Sequence, residues 1–248
     1  MNGLTSTQGA VQQRPFIVGL TGGIASGKST VSRYLAEAYA VPIIDTDVIA
    51  RDLVKVGSST LDEIIAHFGE SIVDKQGNLN RRQLRDIISQ HPNERLWLNA
   101  LMHPKIYDDV MAQVKQLSAS PHPYIMIVIP LLNSDSPYLD LLNAVWVVDC
   151  DEERQKQHLI ARDQMSAKIA QQLIDAQPSR QERLALATVI LENNGSTDEL
   201  LDKTERLHQR LIEQCCTSEA LRIQGLTPNS NFKRSDALRA SSLDVKPP

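Results

Sequence analysis

The sequence predicts an α/β fold in which a mostly parallel, five-stranded sheet is flanked by helices. Short apolar runs alternate with longer amphipathic segments along the 248 residues, which is the pattern of strands joined by helices. Several short runs are nearly continuous valine and isoleucine, as expected for strands covered on both faces. The predicted strands are residues 16–21, 42–46, 124–130, 144–149 and 188–192.

The segments between these strands predict how the chain is divided. The stretch between the second and third strands is too long for one crossover helix, and its segments LDEIIAHFG and RRQLRDIIS have apolar residues at helical spacing. A helical stretch rich in Gln, Arg and Lys follows the fourth strand, where a lid would lie. The predicted division is a flexible N-terminus (1–14), a core (15–47, 121–150 and 187–216), a helical insertion (48–120), a lid (151–186) and a mostly disordered tail (217–248).

Composition excludes several classes of protein. The formal net charge is −4, so no broad basic field is present and the expected partners include neither nucleic acid nor a membrane. The longest apolar run, YIMIVIPLL, is shorter than the about 20 residues of a membrane-spanning helix, and residues 1–14 lack the pattern of a secretory signal. Three cysteines form no paired framework, which favours a reducing compartment and a cytoplasmic location.

The stretch FIVGLTGGIASGKSTV carries the strongest motif. Gly22, Gly27, Lys28 and Ser29 fit the pattern G-x-x-x-x-G-K-[ST], and they follow a predicted strand and precede a predicted helix. Small residues let backbone N–H groups surround phosphate oxygens, and the positive end of the helix adds to the field. We therefore predict a nucleoside triphosphate site in which Lys28 reaches the outer phosphates and Ser29 ligates Mg²⁺.

Two carboxylates follow the second strand, in the segment PIIDTD. The alternation of a strand would place Asp45 and Asp47 on one side, at the carboxyl edge where open α/β sheets bind ligands. Either carboxylate could take the proton from an acceptor hydroxyl. The alternative is a helix cap, which is common for Asp at a strand-to-helix junction.

Basic residues of the predicted lid are the third set of candidate functional residues, after the phosphate loop and the two carboxylates. His158 and Arg162 are four residues apart and lie on one face of a helix. Arg162 could clamp phosphate oxygens as the lid closes, whereas its alternative is an ordinary solvated arginine. A phosphate loop, a carboxylate and a closing arginine are the parts that phosphoryl transfer to a small acceptor requires.

Other proteins with such loops remain possible from these residues alone. A guanine-specific switch needs N-K-x-D or T-K-x-D, and neither tetrapeptide occurs in the sequence. A kinase for another nucleotide or small alcohol, and a nucleotide-dependent regulatory module, both stay open.

The ordered motifs resemble the dephospho-CoA kinase family. The resembling segments are GLTGGIASGKST, IDTDVIAR, GNLNRRQL, HPKI, IPLL, VVDCDEERQKQHLIARD and LENNGS. The resemblance implies a P-loop kinase core and phosphorylation of the ribose 3′-hydroxyl of dephospho-CoA by ATP, with CoA and ADP as products. That reaction is the last step of coenzyme A biosynthesis. We expect a monomer or a weak homo-oligomer.

The resemblance also implies roles for single residues. Asp47 falls on the proposed catalytic base, and Asp45 would assist positioning or metal hydration. The helical insertion becomes the acceptor lobe, in which Arg81 and His103 match recurrent family positions, although Arg81 could be a surface residue and the His-Pro pair could start a helix. The implied ATP site comprises Gly22, Gly23, Ala25, Ser26, Gly27, Lys28, Ser29 and Thr30.

The sequence departs from the family pattern at several positions. Ala25 replaces a common glycine of the loop, so the backbone there must be one that a Cβ permits. His158, which the resemblance implies is a substrate-binding residue, replaces the first lid arginine, and histidine carries a full charge only at lower pH. The remaining departures are Asn133 and Ser134 in place of Glu, Arg183 in place of Lys, and Thr188 in place of Asp.

Overall fold

The computed structural model describes residues 15–119 and 122–223, with side chains up to residue 215. Five parallel strands form one sheet in the order β2-β3-β1-β4-β5, and every pairing in it is parallel. This confirms the predicted mostly parallel sheet. The strands are β1 (Ile17–Gly22), β2 (Ile43–Asp45), β3 (Ile125–Val128), β4 (Ala144–Asp149) and β5 (Val189–Glu192).

Helices cover both faces of the sheet. Even-numbered residues of β1, such as Val18 and Leu20, pack in one apolar cluster, and Ile17 packs in another on the opposite face. Both faces of the sheet are therefore buried away from solvent, which explains the continuous apolar runs in the sequence. The described helices are α1 (Lys28–Tyr39), α2 (Thr46–Asp52), α3 (Ser59–Phe68), α4 (Arg81–Gln90), α5 (Pro92–Leu117), α6 (Glu152–Asp163), α7 (Ala167–Asp175), α8 (Arg180–Ala185) and α9 (Thr197–Ile223).

The chain between β2 and β3 is helical, with α2 to α5 in sequence. It has an apolar cluster of its own, around the buried side chains of Ile64, Ile72 and Leu84. The pair His103-Pro104 does not start a helix. Pro104 lies inside α5, whose first residue is Pro92. The role of this insertion as an acceptor lobe stays a prediction.

The C-terminal helix is longer than the sequence suggested. We expected disorder from Thr217 onward, but α9 continues to Ile223. No proline or glycine interrupts the chain between these two residues, and the Gly-, Pro- and Asn-containing sequence that indicated disorder begins only after Ile223. Residues 1–14 and 224–248, with their predicted flexibility, lie outside the described residues.

None of the helices in the described part of the chain combines the length and the apolarity that crossing a membrane requires.

Candidate active site

The phosphate loop joins the central strand to α1 at the carboxyl edge of the sheet. At two positions of this loop, Gly22 and Gly27, a Cβ atom would clash with neighbouring atoms. A Cβ on Gly22 would lie 2.4 Å from the backbone oxygen of Val148, and one on Gly27 would lie 2.6 Å from Nδ2 of Asn193. The loop therefore follows the surrounding backbone closely. The first N–H groups of α1 have no carbonyl one turn earlier in the helix and are available to an anion.

Lys28 crosses the mouth of this loop. Its Nζ donates hydrogen bonds to the carbonyl oxygens of Gly22 and Gly23, both at 2.8 Å. Burial lowers the pKa of Lys28 to about 8; the charge of Asp47 opposes that shift, while Arg183 reinforces it. The ammonium group thus lies among cations and backbone carbonyls, where an anionic ligand would be favourable.

The two carboxylates at the end of β2 have different places in the structure. Asp45 caps α2, because its Oδ1 accepts hydrogen bonds from the backbone N–H groups of Asp47 at 2.8 Å and Val48 at 3.4 Å. The expected strand alternation is wrong for Asp47: β2 ends at Asp45 and Asp47 lies in the first turn of α2. Both residues nevertheless remain at the carboxyl edge of the sheet.

The carboxylate of Asp47 is exposed and accepts no hydrogen bond from the described residues. Partial desolvation raises its pKa and the charge of Asp45 adds to this, whereas Arg51 and Lys28 act in the opposite direction. Asp47 and Lys28 each affect the pKa of the other. A carboxylate and a buried ammonium group therefore share one electrostatic environment at the sheet edge.

Arg162 does not clamp the loop in this structure. It makes two hydrogen bonds to Asp163, at 2.8 and 2.7 Å, and the pair is exposed to solvent. Its charge still contributes to the lowered pKa of Lys28, so Arg162 lies within electrostatic reach of the loop. In this conformation Arg162 is a solvated surface residue, and its role as a clamp on phosphate oxygens stays a prediction.

The predicted acceptor residues lie on separate helices. Arg81 begins α4 and donates from Nη2 to the carbonyl oxygen of Arg51 at 3.4 Å, which places it beside the helix that carries Asp47. His103 is exposed in the middle of α5. No contact between His103 and the loop appears among the described residues, so the structure brings only Arg81 towards the carboxylate.

Sequence reasoning missed the side chains that hold the loop from outside. The buried Asn193 donates from Nδ2 to the carbonyl oxygen of Ser26 at 2.8 Å, and Gln177 accepts at Oε1 from the N–H of Ile24 at 2.7 Å. Asn193 lies in the segment LENNGS, which carried part of the family resemblance without a role. Gln177 had no such signal.

An ion pair between a half-exposed arginine and a buried carboxylate ties the predicted lid segment to the sheet. Arg180, the first residue of α8, makes hydrogen bonds of 2.8, 3.1 and 2.5 Å to the two carboxylate oxygens of Asp149. Asp149 is only 5% exposed and ends β4. Because a carboxylate this buried requires a partner, Arg180 holds α8 against the edge of the sheet.

Ala25 adopts the left-handed conformation for which glycine is favoured. Its φ is 54°, within the small region open to residues that have a Cβ. That conformation costs about 1–2 kcal/mol for an L-residue, and glycine would lose about 0.5–1 kcal/mol through its greater freedom in the unfolded chain. The departure from glycine is thus accommodated, with some strain in the loop.

We expect Ala25→Gly to raise the free energy of unfolding by about 0.5–1 kcal/mol, because it removes this strain. Urea denaturation of the two proteins measures the difference. Ala36→Gly, at an exposed position inside α1, is the matched control and should instead destabilise by about 1 kcal/mol. A destabilised Ala25→Gly protein would contradict the strain.

The comparisons with known proteins agree on one family. The family model described as CoaE, dephospho-CoA kinase, matches residues 16–199. A dephospho-CoA kinase of Trichormus variabilis is 42% identical over 189 residues, which cover 76% of this chain and 94% of the relative. A dephospho-CoA kinase of Escherichia coli is 39% identical over 198 residues, covering 80% and 94% respectively.

Solved structures agree with the fold. TT1252 from Thermus thermophilus superimposes with a TM-score of 0.68 at 29% identity, covering 80% of this chain and 99% of its own. A dephospho-CoA kinase from Campylobacter jejuni gives a TM-score of 0.61 at 24% identity, with 80% and 98% coverage. The residues that the family model matches include the phosphate loop, Asp47 and residues 151–186 of the predicted lid. The chain therefore belongs to the dephospho-CoA kinase family.

Proposed function

We propose that this protein transfers the γ-phosphoryl group of ATP to the ribose 3′-hydroxyl of dephospho-CoA, giving CoA and ADP. The observation that carries the proposal is that Lys28 and Asp47 lie within electrostatic reach of each other at the carboxyl edge of the sheet, in a chain of this family. A phosphate-binding cation and a proton acceptor in one electrostatic environment are what transfer to a hydroxyl requires.

The loop from Gly22 to Thr30 binds the triphosphate. Its backbone N–H groups and the start of α1 receive the phosphate oxygens, and Lys28 exchanges its bonds to the Gly22 and Gly23 carbonyls for bonds to the outer phosphates. Because Lys28 is already held at the loop mouth by two hydrogen bonds, little rearrangement of its side chain is needed. Positioning of this kind supplies much of the rate in phosphoryl transfer.

The residues around the loop also fit Mg²⁺. The exposed Ser29 lies in the first turn of α1, and the carboxylates of Asp45 and Asp47 supply oxygen ligands at the same sheet edge. Magnesium prefers one or two carboxylates together with substrate phosphates and water, so Ser29 would ligate the ion directly and Asp45 would assist through its water. The bound ion would offset charge on the β- and γ-phosphates.

Asp47 accepts the proton of the 3′-hydroxyl as that oxygen attacks phosphorus. Its raised pKa makes it a better base than an ordinary surface carboxylate. Arg162 leaves its exposed pair with Asp163 as α6 closes and stabilises charge on the moving phosphoryl group. Such an exchange is cheap because solvated ion pairs contribute little stability.

The insertion between β2 and β3 binds the acceptor. Arg81 lies beside the helix of Asp47 and can neutralise the diphosphate of dephospho-CoA, for which guanidinium groups are suited. We propose that His103 contacts the acceptor farther along α5. Both assignments rest on the family resemblance and on the position of these helices.

An assay of ADP release tests the proposal directly. Dephospho-CoA should give a kcat/KM at least about 10²-fold above those of nucleoside monophosphates and shikimate, since the hydrogen-bonding groups of an acceptor site reject poorly matched alcohols. Preference for another acceptor would point to a different small-molecule kinase. Nucleotide binding without turnover on any acceptor would point to a regulatory module.

The affinity for ATP should fall as the pH rises through the pKa of Lys28. That pKa is about 8 in the free protein, and bound phosphates raise it, so affinity is full well below pH 8 and declines as the pH passes through 8. Calorimetric titration should show a loss of about eightfold between pH 7.5 and 9.0. The Lys28→Arg protein remains charged over this pH range, so its ATP affinity should not fall with pH. An equal fall in that variant would mean that a group other than Lys28 causes the pH dependence.

A further inference from the structure

Two side chains of the lid segment hold consecutive residues of the phosphate loop. The N–H of Ile24 donates to Oε1 of Gln177 at 2.7 Å, and the carbonyl oxygen of Ala25 accepts from Nδ1 of His158 at 3.1 Å. His158 lies on α6 and Gln177 follows α7. The conformation of the loop is thus linked to the position of the lid before any ligand binds.

The bond from His158 fixes one peptide plane of the loop. The carbonyl end of the Ala25–Ser26 peptide is held by His158, and its N–H end donates to the Gly23 carbonyl at 3.2 Å. The carbonyl of the next peptide is held by Asn193 at 2.8 Å. Because a trans peptide is planar, holding each carbonyl outward directs the amide of the second peptide to the opposite, phosphate-facing side.

The chemistry of this contact defines which ring nitrogen is the donor. A carbonyl oxygen can only accept, so Nδ1 of His158 carries the hydrogen whether or not the ring is charged. The contact therefore requires no positive charge on His158. This differs from the role implied by the family pattern, in which a lid arginine at this position would act through its charge.

We propose that His158 is a positioning residue of the ATP site, whose Nδ1–H holds the Ala25 carbonyl and keeps the loop in the conformation that receives the triphosphate. The proposal rests on the proposed function only in taking ATP as the ligand. It connects two of the departures from the family pattern: Ala25 occupies a left-handed conformation with φ 54°, and His158 holds its carbonyl from outside the loop.

The affinity for ATP, measured by calorimetry without an acceptor, tests the proposal. His158→Leu removes the donor at similar size and should weaken binding about tenfold, as expected for one lost hydrogen bond. His158→Asn places an amide N–H close to the position of Nδ1 and should stay within about threefold of the unaltered protein. Adding Ala25→Gly to His158→Leu should recover part of the loss, because glycine adopts positive φ without steric cost.

The opposite ranking would overturn the proposal. If His158→Asn weakened binding as much as His158→Leu and Ala25→Gly recovered nothing, His158 would act as a ligand of the phosphates. Unaltered affinity in His158→Leu would likewise remove the residue from the site. If the leucine variant failed to fold, His158→Gln would replace it, since its longer amide does not reproduce the position of Nδ1.

The controls separate this question from folding and from turnover. Gln157→Leu changes the exposed neighbouring residue on α6 and should leave ATP affinity unchanged, and thermal unfolding verifies that each variant is folded. Because the readout is ATP binding alone, failure of the protein to phosphorylate dephospho-CoA would refute the proposed function while leaving the ranking of the His158 variants interpretable.

Discussion

Replacing Asp47 with asparagine is expected to lower kcat by about 10²- to 10⁴-fold, the usual contribution of a positioned base. Asparagine keeps the size of the side chain but cannot take the proton of the acceptor hydroxyl. The Kd for ATP should change by less than about threefold, because Asp47 contacts neither the loop carbonyls nor the amide groups that bind phosphate. Steady-state kinetics with dephospho-CoA, combined with calorimetry for ATP, measure both quantities.

The matched control is Asp45→Asn. Asparagine is as good a helix cap as aspartate, so its side-chain oxygen can still accept from the Asp47 and Val48 N–H groups and α2 should remain intact. We expect kcat to fall much less than in Asp47→Asn. If Asp45→Asn lowered kcat more than Asp47→Asn, the base would be Asp45. Near-normal turnover in Asp47→Asn would remove Asp47 from that role.

Replacing Lys28 with methionine is expected to lower kcat/KM by about 10³-fold, since one preorganised group facing developing charge contributes about 10²–10³ to the rate and also binds the ground state. Methionine keeps the apolar stem and removes the ammonium group. The loss should appear in both ATP affinity and kcat, unlike that of Asp47→Asn. Initial-rate kinetics over a range of ATP concentrations separate the two effects.

Lys115→Met is the control for the change of charge, because Lys115 is exposed on α5, away from the sheet edge. It should leave kcat/KM within about twofold, as for most surface substitutions. Thermal unfolding of Lys28→Met verifies that its loss of activity is not a loss of fold. Unchanged ATP affinity in a folded Lys28→Met protein would contradict the place of Lys28 on the phosphates.

Much of the fold could be predicted because its signals are local. The apolar run at 144–149 coincides with β4, and the glycines of the loop occur where a Cβ would meet neighbouring backbone or side-chain atoms. The predicted run 42–46 was longer than β2 because Asp45 already caps the following helix. Asp at this junction can either continue the strand or cap the next helix, and the local sequence is compatible with both. Packing in the folded chain decides between them.

The side chains that hold the loop could not be predicted in the same way. Asn193 contacts a residue 167 positions away and Gln177 one 153 positions away, and no short pattern reports such pairings. His158 and Ala25 were each noticed as departures from the family pattern, yet only the fold brings them into contact. Their relation depends on how α6 packs over the loop, which is a tertiary property.

The position of the transferred phosphate tests the central claim most directly. The protein is incubated with ATP, Mg²⁺ and dephospho-CoA, and the acceptor product is identified by mass spectrometry and by ³¹P and ¹H NMR. The account predicts one added phosphoryl group, on the ribose 3′-oxygen, formed in equal amount to ADP. Phosphate on another oxygen, or ADP formed with no phosphorylated acceptor, would contradict it.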